Sequence, residues 1–317
     1  MKSVVLILLF VCFAPFAIGE ESATVPETLL MDPVDGTRNR TVPVKVYLPI
    51  SKTPSPVVLF SHGLGGSRNN NSYLGNHWAQ HGYVGVFIQH QGSDEEVWKS
   101  APPLERMAAM KKAANFQSAM NRFADVPFVI DQLEKWNADE NHVLHGKLDL
   151  EHIGMSGHSF GAGTTQAMMG QKFLGDRSVA DSRIDAFIAF SPSIHKRLSP
   201  EESFGEIQSP VLLMTGTKDG SPIDPSTTPE SRMKVYAGLP AGDKYHLVFQ
   251  DGEHHAFGDS GRAGRKRMAH HHAAIQLLST KFWDAYLKGD SEAKAWLQSE
   301  EARKDSRLVA EDVWEWK

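Results

Sequence analysis

The sequence predicts an α/β fold: a doubly wound, mainly parallel sheet with helices on both faces. Three observations carry this prediction. Short apolar runs alternate along the chain with longer segments of helical periodicity, the pattern of successive βαβ units. The runs at 57–60, 83–88, 184–190 and 211–217 are apolar almost throughout, as strands covered on both faces must be. Each run ends in a loop rich in glycine or polar residues, and right-handed crossovers bring such loops to one edge of the sheet. No repeat, linker or low-complexity tract interrupts the alternation, so residues 20–317 read as one domain with ample material for a core. The 41% apolar and 22% charged content is ordinary for a globular chain, and a formal charge of −5 provides no basic field for nucleic acid.

At the N-terminus, Lys2 precedes an apolar run over 4–18, and Ala17-Ile18-Gly19 stands before Glu20-Glu21. A positive start, a short apolar stretch and small residues before a cut predict a signal peptide over 1–19, cleaved after Gly19, and hence an exported, periplasmic or extracellular protein. The run is shorter than the roughly 20 residues a membrane-spanning helix needs. The only cysteine, Cys12, leaves with this segment, so the exported chain has neither a disulfide nor a thiol nucleophile. Losing Lys2 moves the formal charge from −5 to −6.

Residues 41–49 alternate with period two and predict an early antiparallel strand. The strand at 57–60 runs into Ser61-His62-Gly63-Leu64-Gly65-Gly66, a loop able to present backbone N–H groups. A helix is expected over 72–80, then a strand over 83–88 leading to Gln89-His90, with His90 expected as a hydrogen-bonded structural residue. Residues 103–137 predict a helical, cap-like segment in which Pro127 falls in the first turn of a helix over 126–133. Met107, Met110 and Met120 lie at helical spacings there and read as packing residues more than as an acyl pocket. Strands follow at 184–190, 211–217 and 245–249, the last of these closing the sheet, and amphipathic helices at 266–287 and 291–297 cover it.

The chemistry centres on Gly157-His158-Ser159-Phe160-Gly161, which fits G-x-S-x-G between a strand and a helix of small residues. The tight turn strains its central residue and requires small neighbours, and it aims the helix N-terminus at whatever Ser159 attacks. A serine hydroxyl needs a base within hydrogen-bond reach and an acid to orient that base. His254 and Asp219, each after a strand, supply them in the order Ser, Asp, His. Asp224 competes with Asp219, and His255 with His254; as neighbours on an extended loop the two histidines point in opposite directions, leaving His255 towards substrate or solvent. The N–H groups of Leu64 and Phe160 form the expected oxyanion hole. His270-His271-His272 reads as a solvated helix face and not as a metal site, because successive helical residues diverge. No phosphate-cradling glycine-rich motif with a lysine is present, so no cofactor is expected.

Together, Ser61-His62-Gly63-Leu64-Gly65, Gln89-His90-Gln91-Gly92-Ser93-Asp94, the elbow, Gly216-Thr217-Lys218-Asp219 and Gly252-Glu253-His254-His255-Ala256-Phe257 resemble secreted bacterial α/β-hydrolases of the dienelactone-hydrolase-like or platelet-activating-factor-acetylhydrolase-like family. The resemblance spans roughly residues 30–290. It implies the α/β-hydrolase fold and an esterase of small or short-acyl substrates, with Ser159, Asp219 and His254 as triad and Leu64 and Phe160 as oxyanion hole. True dienelactone hydrolases carry cysteine where this chain has Ser159, so that name does not designate the substrate. A serine peptidase or amidase of the same fold is the alternative activity, and a non-catalytic binding protein on this scaffold a further one. Substrate identity and oligomeric state stay open.

Overall fold

The computed structural model describes residues 26–259 and 268–317; the expected signal peptide, and residues 266–267 of the expected C-terminal helix, lie outside them. The strands are β1 (Glu27–Met31), β2 (Val34–Asp35), β3 (Arg40–Thr41), β4 (Val44–Leu48), β5 (Ser55–Ser61), β6 (Val84–Ile88), β7 (Leu148–His158), β8 (Ala186–Phe190), β9 (Val211–Lys218), β10 (Lys244–Glu253) and β11 (Val313–Trp316). The helices are α1 (Ser72–Gln80), α2 (Glu96–Lys99), α3 (Arg106–Ala113), α4 (Phe116–Ala138), α5 (Phe160–Met168), α6 (Pro200–Phe204), α7 (Pro229–Gly238), α8 (Ala269–Leu287), α9 (Ser291–Leu297) and α10 (Glu300–Asp305). One nine-stranded sheet runs in the order β1-β4-β6-β5-β7-β8-β9-β10-β11, and β2 and β3 form a separate hairpin. From β6 through β10 every neighbouring pair is parallel, while β1, β4 and β11 join antiparallel. This is the α/β-hydrolase fold.

The continuous apolar runs are explained by a core on each face. Val57 and Leu59 of β5 face the core built with Val126, Val129, Ile130 and Leu133 of α4. Val58 and Phe60 face the opposite core, with Leu74 and Trp78 of α1 and Phe282 and Trp283 of α8. Because strand side chains alternate, a strand sandwiched this way must be apolar at every position.

Two expectations about elements need correction, the closing strand and the place of Pro127, and the structure adds β1 and a break within 103–137. Strand β1 lies in the stretch before 41–49 and pairs with β4; three of its five residues are exposed or nearly so, which hides its periodicity. The strand at 245–249 does not close the sheet, because Val313–Trp316 adds antiparallel to it, an edge strand whose exposed outer residues resemble a loop in sequence. The segment 103–137 breaks at Ala114 and Asn115; the Asn115 side chain caps α4 by accepting from the Ser118 N–H at 2.9 Å. Pro127 then lies inside the 23-residue α4 and not in a first turn. Burial of one face of this long helix outweighs the single hydrogen bond a proline removes. Among the described residues no helix is long and apolar enough to cross a membrane.

Candidate active site

Strand β7 and helix α5 meet at Ser159, whose φ of 58° and ψ of −114° put it in backbone territory that costs a non-glycine residue strain. The flanking glycines permit that turn. A Cβ on Gly157 would lie 2.4 Å from the Gly161 carbonyl oxygen, and one on Gly161 would lie 1.8 Å from the Ser61 carbonyl oxygen. Strand β5 and the elbow are therefore in backbone contact, and only glycine fits between them.

The structure brings Ser159, His254 and Asp219 into a single relay. The Ser159 hydroxyl donates to His254 Nε2 at 2.9 Å, and His254 Nδ1–H donates to Asp219 Oδ1 at 2.7 Å. His254 opens a short 3₁₀ turn over His254–Phe257 directly after β10, and Asp219 follows β9. Asp219 is fully buried; burial raises its pKa, but the His254 hydrogen bond and the charge of Arg232 outweigh that, and the carboxyl titrates below its ordinary range. Thr215 Oγ1 donates to Asp219 Oδ2 at 2.8 Å, and Arg232 Nε donates to the Asp219 carbonyl at 2.7 Å. Arg232 also donates to the Ser191 and Pro192 carbonyls at 2.6 and 2.8 Å, tying the loops after β8 and β9 together. His158 donates from Nε2 to the His254 carbonyl at 3.1 Å; burial and the neighbouring His254 push its pKa down to about 3.

The rivals lie elsewhere. Asp224 pairs with Lys196 at 2.6 Å, and that ion pair with the Ser226 hydrogen bond holds it down to about 2. His255 lies 3.3 Å from Glu253, while it is His254 that bonds Ser159. The helix-face reading of the three histidines is corrected. His270 bonds Asp312 at 3.0 Å, His271 is buried with its ring 4.2 Å from Phe249, and His272 stacks on Tyr73 at 3.6 Å. They are packed because α8 lies on the sheet along that side. Among the described residues no three His, Cys, Asp or Glu side chains cluster to hold a metal.

Two peptide planes orient the N–H groups of Leu64 and Phe160. The Gly63 carbonyl accepts from His62 Nδ1–H at 2.6 Å and from the Gly66 N–H at 3.0 Å. The peptide is trans and planar, so the Leu64 N–H on its other side points the opposite way. Likewise the Ser159 carbonyl accepts from the Gly163 N–H at 3.2 Å, which turns the Phe160 N–H out of the helix N-terminus. The loop abuts the elbow: a Cβ on Gly63 would come within 3.5 Å of Ser159 Cβ. Trp98 Nε1 donates to the Gly65 carbonyl at 2.8 Å, and Met110 fills the space a Gly65 side chain would need. Met107, in contrast, is largely exposed.

A second Ser–His–Asp relay lies nearby. Ser61 Oγ donates to His90 Nε2 at 2.9 Å and His90 Nδ1 donates to Asp125 at 3.0 Å, all three side chains being 0% exposed. Nothing can reach that serine, so His90 is structural, as expected. Sequence reasoning passed over Arg122, Thr215 and Arg232. The signal for Arg232 was slight: it shares a helical face with Val235 and Tyr236, which are buried with it.

Beside Phe160 opens a groove of about 660 Å³ whose walls include Phe116, Ala119, Phe123, Phe173 and Ile194. Residues 34–102 match the family described as platelet-activating factor acetylhydrolase, isoform II. No curated protein matches the chain. Among solved structures, the ferulic acid esterase from Streptomyces cinnamoneus is similar at 20% identity and a TM-score of 0.57, over 83% of this chain and 89% of that one. The fold is shared with 1011 solved chains, so it leaves the substrate open. The match over residues 34–102 bears out the resemblance to platelet-activating-factor-acetylhydrolase-like α/β-hydrolases, and the structural likeness bears out the fold.

Proposed function

We propose that the chain is an exported serine carboxylic-ester hydrolase acting on small or short-acyl esters through an acyl-enzyme. The observation that supports this reading most is the relay of 2.9 and 2.7 Å from Ser159 through His254 to Asp219, set on a strained elbow. His254 takes the Ser159 proton as Oγ attacks the ester carbonyl, and the N–H groups of Leu64 and Phe160 receive the developing oxyanion. Collapse of the tetrahedral intermediate expels the alcohol, which takes its proton from His254. Water, deprotonated by His254, then attacks the acyl-serine and releases the acid. Asp219 keeps His254 in the Nδ1–H tautomer and stabilises the imidazolium. The groove beside Phe160 supports an apolar acyl or aryl portion of the ester lying against the aromatic walls.

The test is hydrolysis of p-nitrophenyl esters from acetate to palmitate, with Ser159→Ala in parallel. The expected outcome is a rate that falls with chain length and drops by about 10⁶ in the variant. Retention of most activity by Ser159→Ala, or cleavage of amides far above esters, would overturn the proposal.

A further inference from the structure

We infer that Arg122 is a positioning residue for the oxyanion hole, a clamp between the loop that carries the Leu64 N–H and the ring of the residue that carries the Phe160 N–H. The inference rests on the ester-hydrolase reading above.

Arg122 projects from α4 and is 0% exposed. Its Nη1 donates to the His62 carbonyl at 2.7 Å and to Ser61 Oγ at 3.3 Å. Nε donates to Ser93 Oγ at 2.8 Å and Nη2 to the Ser93 carbonyl at 3.4 Å. That same Ser93 carbonyl accepts the Gly65 N–H at 2.8 Å, so the loops at 61–66 and 90–94 are joined through one guanidinium. Its Cζ lies over the Phe160 ring, 4.5 Å from the centroid. One planar group therefore touches both halves of the hole. Beneath it, His62 receives the His90 N–H on Nε2 at 3.1 Å, which leaves Nδ1–H for the Gly63 carbonyl and so fixes the peptide that presents Leu64. His90 is fixed in turn by Asp125, which Arg38 and Arg40 also bind at 2.8 Å.

A role confined to stability is a poor account of this arrangement. Burying a guanidinium carries a desolvation cost that packed apolar side chains of similar volume avoid. What arginine adds is rigid geometry: a fork that donates in several fixed directions while its charge sits over a ring, which lysine cannot reproduce. Hydrolysis through an oxyanion depends on donor placement to within a fraction of an ångström.

The experiment compares wild type with Arg122→Lys, Ser93→Ala and Phe160→Leu. It measures kcat and KM on p-nitrophenyl acetate, and inhibition by phenylboronic acid, whose tetrahedral serine adduct presents an oxygen to the hole. Arg122→Lys is expected to lower kcat by about 10- to 100-fold with KM within about twofold, and to weaken boronate inhibition by a similar factor. Ser93→Ala and Phe160→Leu keep the buried charge and each remove one arm of the clamp; a fall of about 3- to 10-fold in both readouts is expected. They decide the matter if Arg122→Lys does not fold. Unchanged kcat, or lowered kcat with unchanged boronate inhibition, would overturn the role. If wild type itself shows no Ser159-dependent hydrolysis, the ester reading fails and the inference with it; if wild type is active and the variants are insensitive, only the inference fails.

Discussion

Replacing Gly161 with alanine probes the contact that shapes the elbow. A Cβ at that position would lie 1.8 Å from the Ser61 carbonyl oxygen, 2.5 Å from its carbon and 2.8 Å from the His62 carbonyl oxygen. Against an ordinary C···O approach of about 3.3 Å, the overlap is about 1.5 Å. All three atoms are backbone, at the end of β5 and in the loop bearing Leu64, so no change of rotamer relieves the clash. Strand β5 and helix α5 must part by roughly an ångström, which separates the nucleophile from its oxyanion donors. A misplacement of that size costs about 10² in rate, and overpacking of this kind costs about 1–3 kcal/mol of stability. Gly163, two residues along α5, is the control: a Cβ there meets nothing within 4 Å. Glycine to alanine in a helix stabilises by about 1 kcal/mol, so Gly163→Ala should be at least as stable as wild type and active on a short ester. Urea denaturation and p-nitrophenyl acetate hydrolysis on both variants provide the assay. A Gly161→Ala protein with wild-type urea midpoint and wild-type kcat would refute the packing argument.

Further outcomes follow from the same geometry. Asp219→Asn should lower kcat by about 10⁴, since the amide can face His254 with its N–H₂ and favour the wrong tautomer, and it leaves Arg232 beside a neutral partner; a kcat within tenfold of wild type would remove Asp219 from the relay. His62 and His90 are buried and held neutral: burial first, then the Arg122 charge, pushes His90 down to about 4 and His62 well below its usual value. The unfolded chain takes up protons below about pH 6.5 that these rings refuse in the folded state. Their contribution to stability is therefore intact above about 6.5 and is lost as pH falls towards 4, by up to about 1.4 kcal/mol per pH unit for each histidine. A urea midpoint that stays flat from pH 7 to 4.5 would contradict this. Expressed with its full leader, the exported chain should begin at Glu20 by intact-mass measurement; a mass retaining residues 1–19 would sink the cleavage proposal.

Much of the fold was legible because burial on both faces leaves a mark on every residue of a strand. Val57 to Phe60 must all be apolar when alternate residues feed two cores, and no register is needed to see it. The edge strands β1 and β11 lack that mark, since part of each meets water. The elbow was legible for a different reason: Gly157 and Gly161 are dictated by backbone contacts that no other residue tolerates, so geometry is written directly as residue type. Order along the chain restricted Asp and His to loops after two successive strands, yet His254 and His255 are adjacent and chemically identical. Only the tertiary structure, with its 3₁₀ turn after β10, decided that His254 is the one bonded to Ser159. Arg122 and Arg232 were hidden for the converse reason. A long-range partner such as the His62 carbonyl, 60 residues away, confers burial on an arginine whose local sequence suggests an exposed helix. The sequence determined the strands buried on both faces and the elbow between two of its elements; the crossing of α4 and α7 over the sheet decided which charges were buried and which N–H groups were aimed, because those contacts join segments with no local signal for one another.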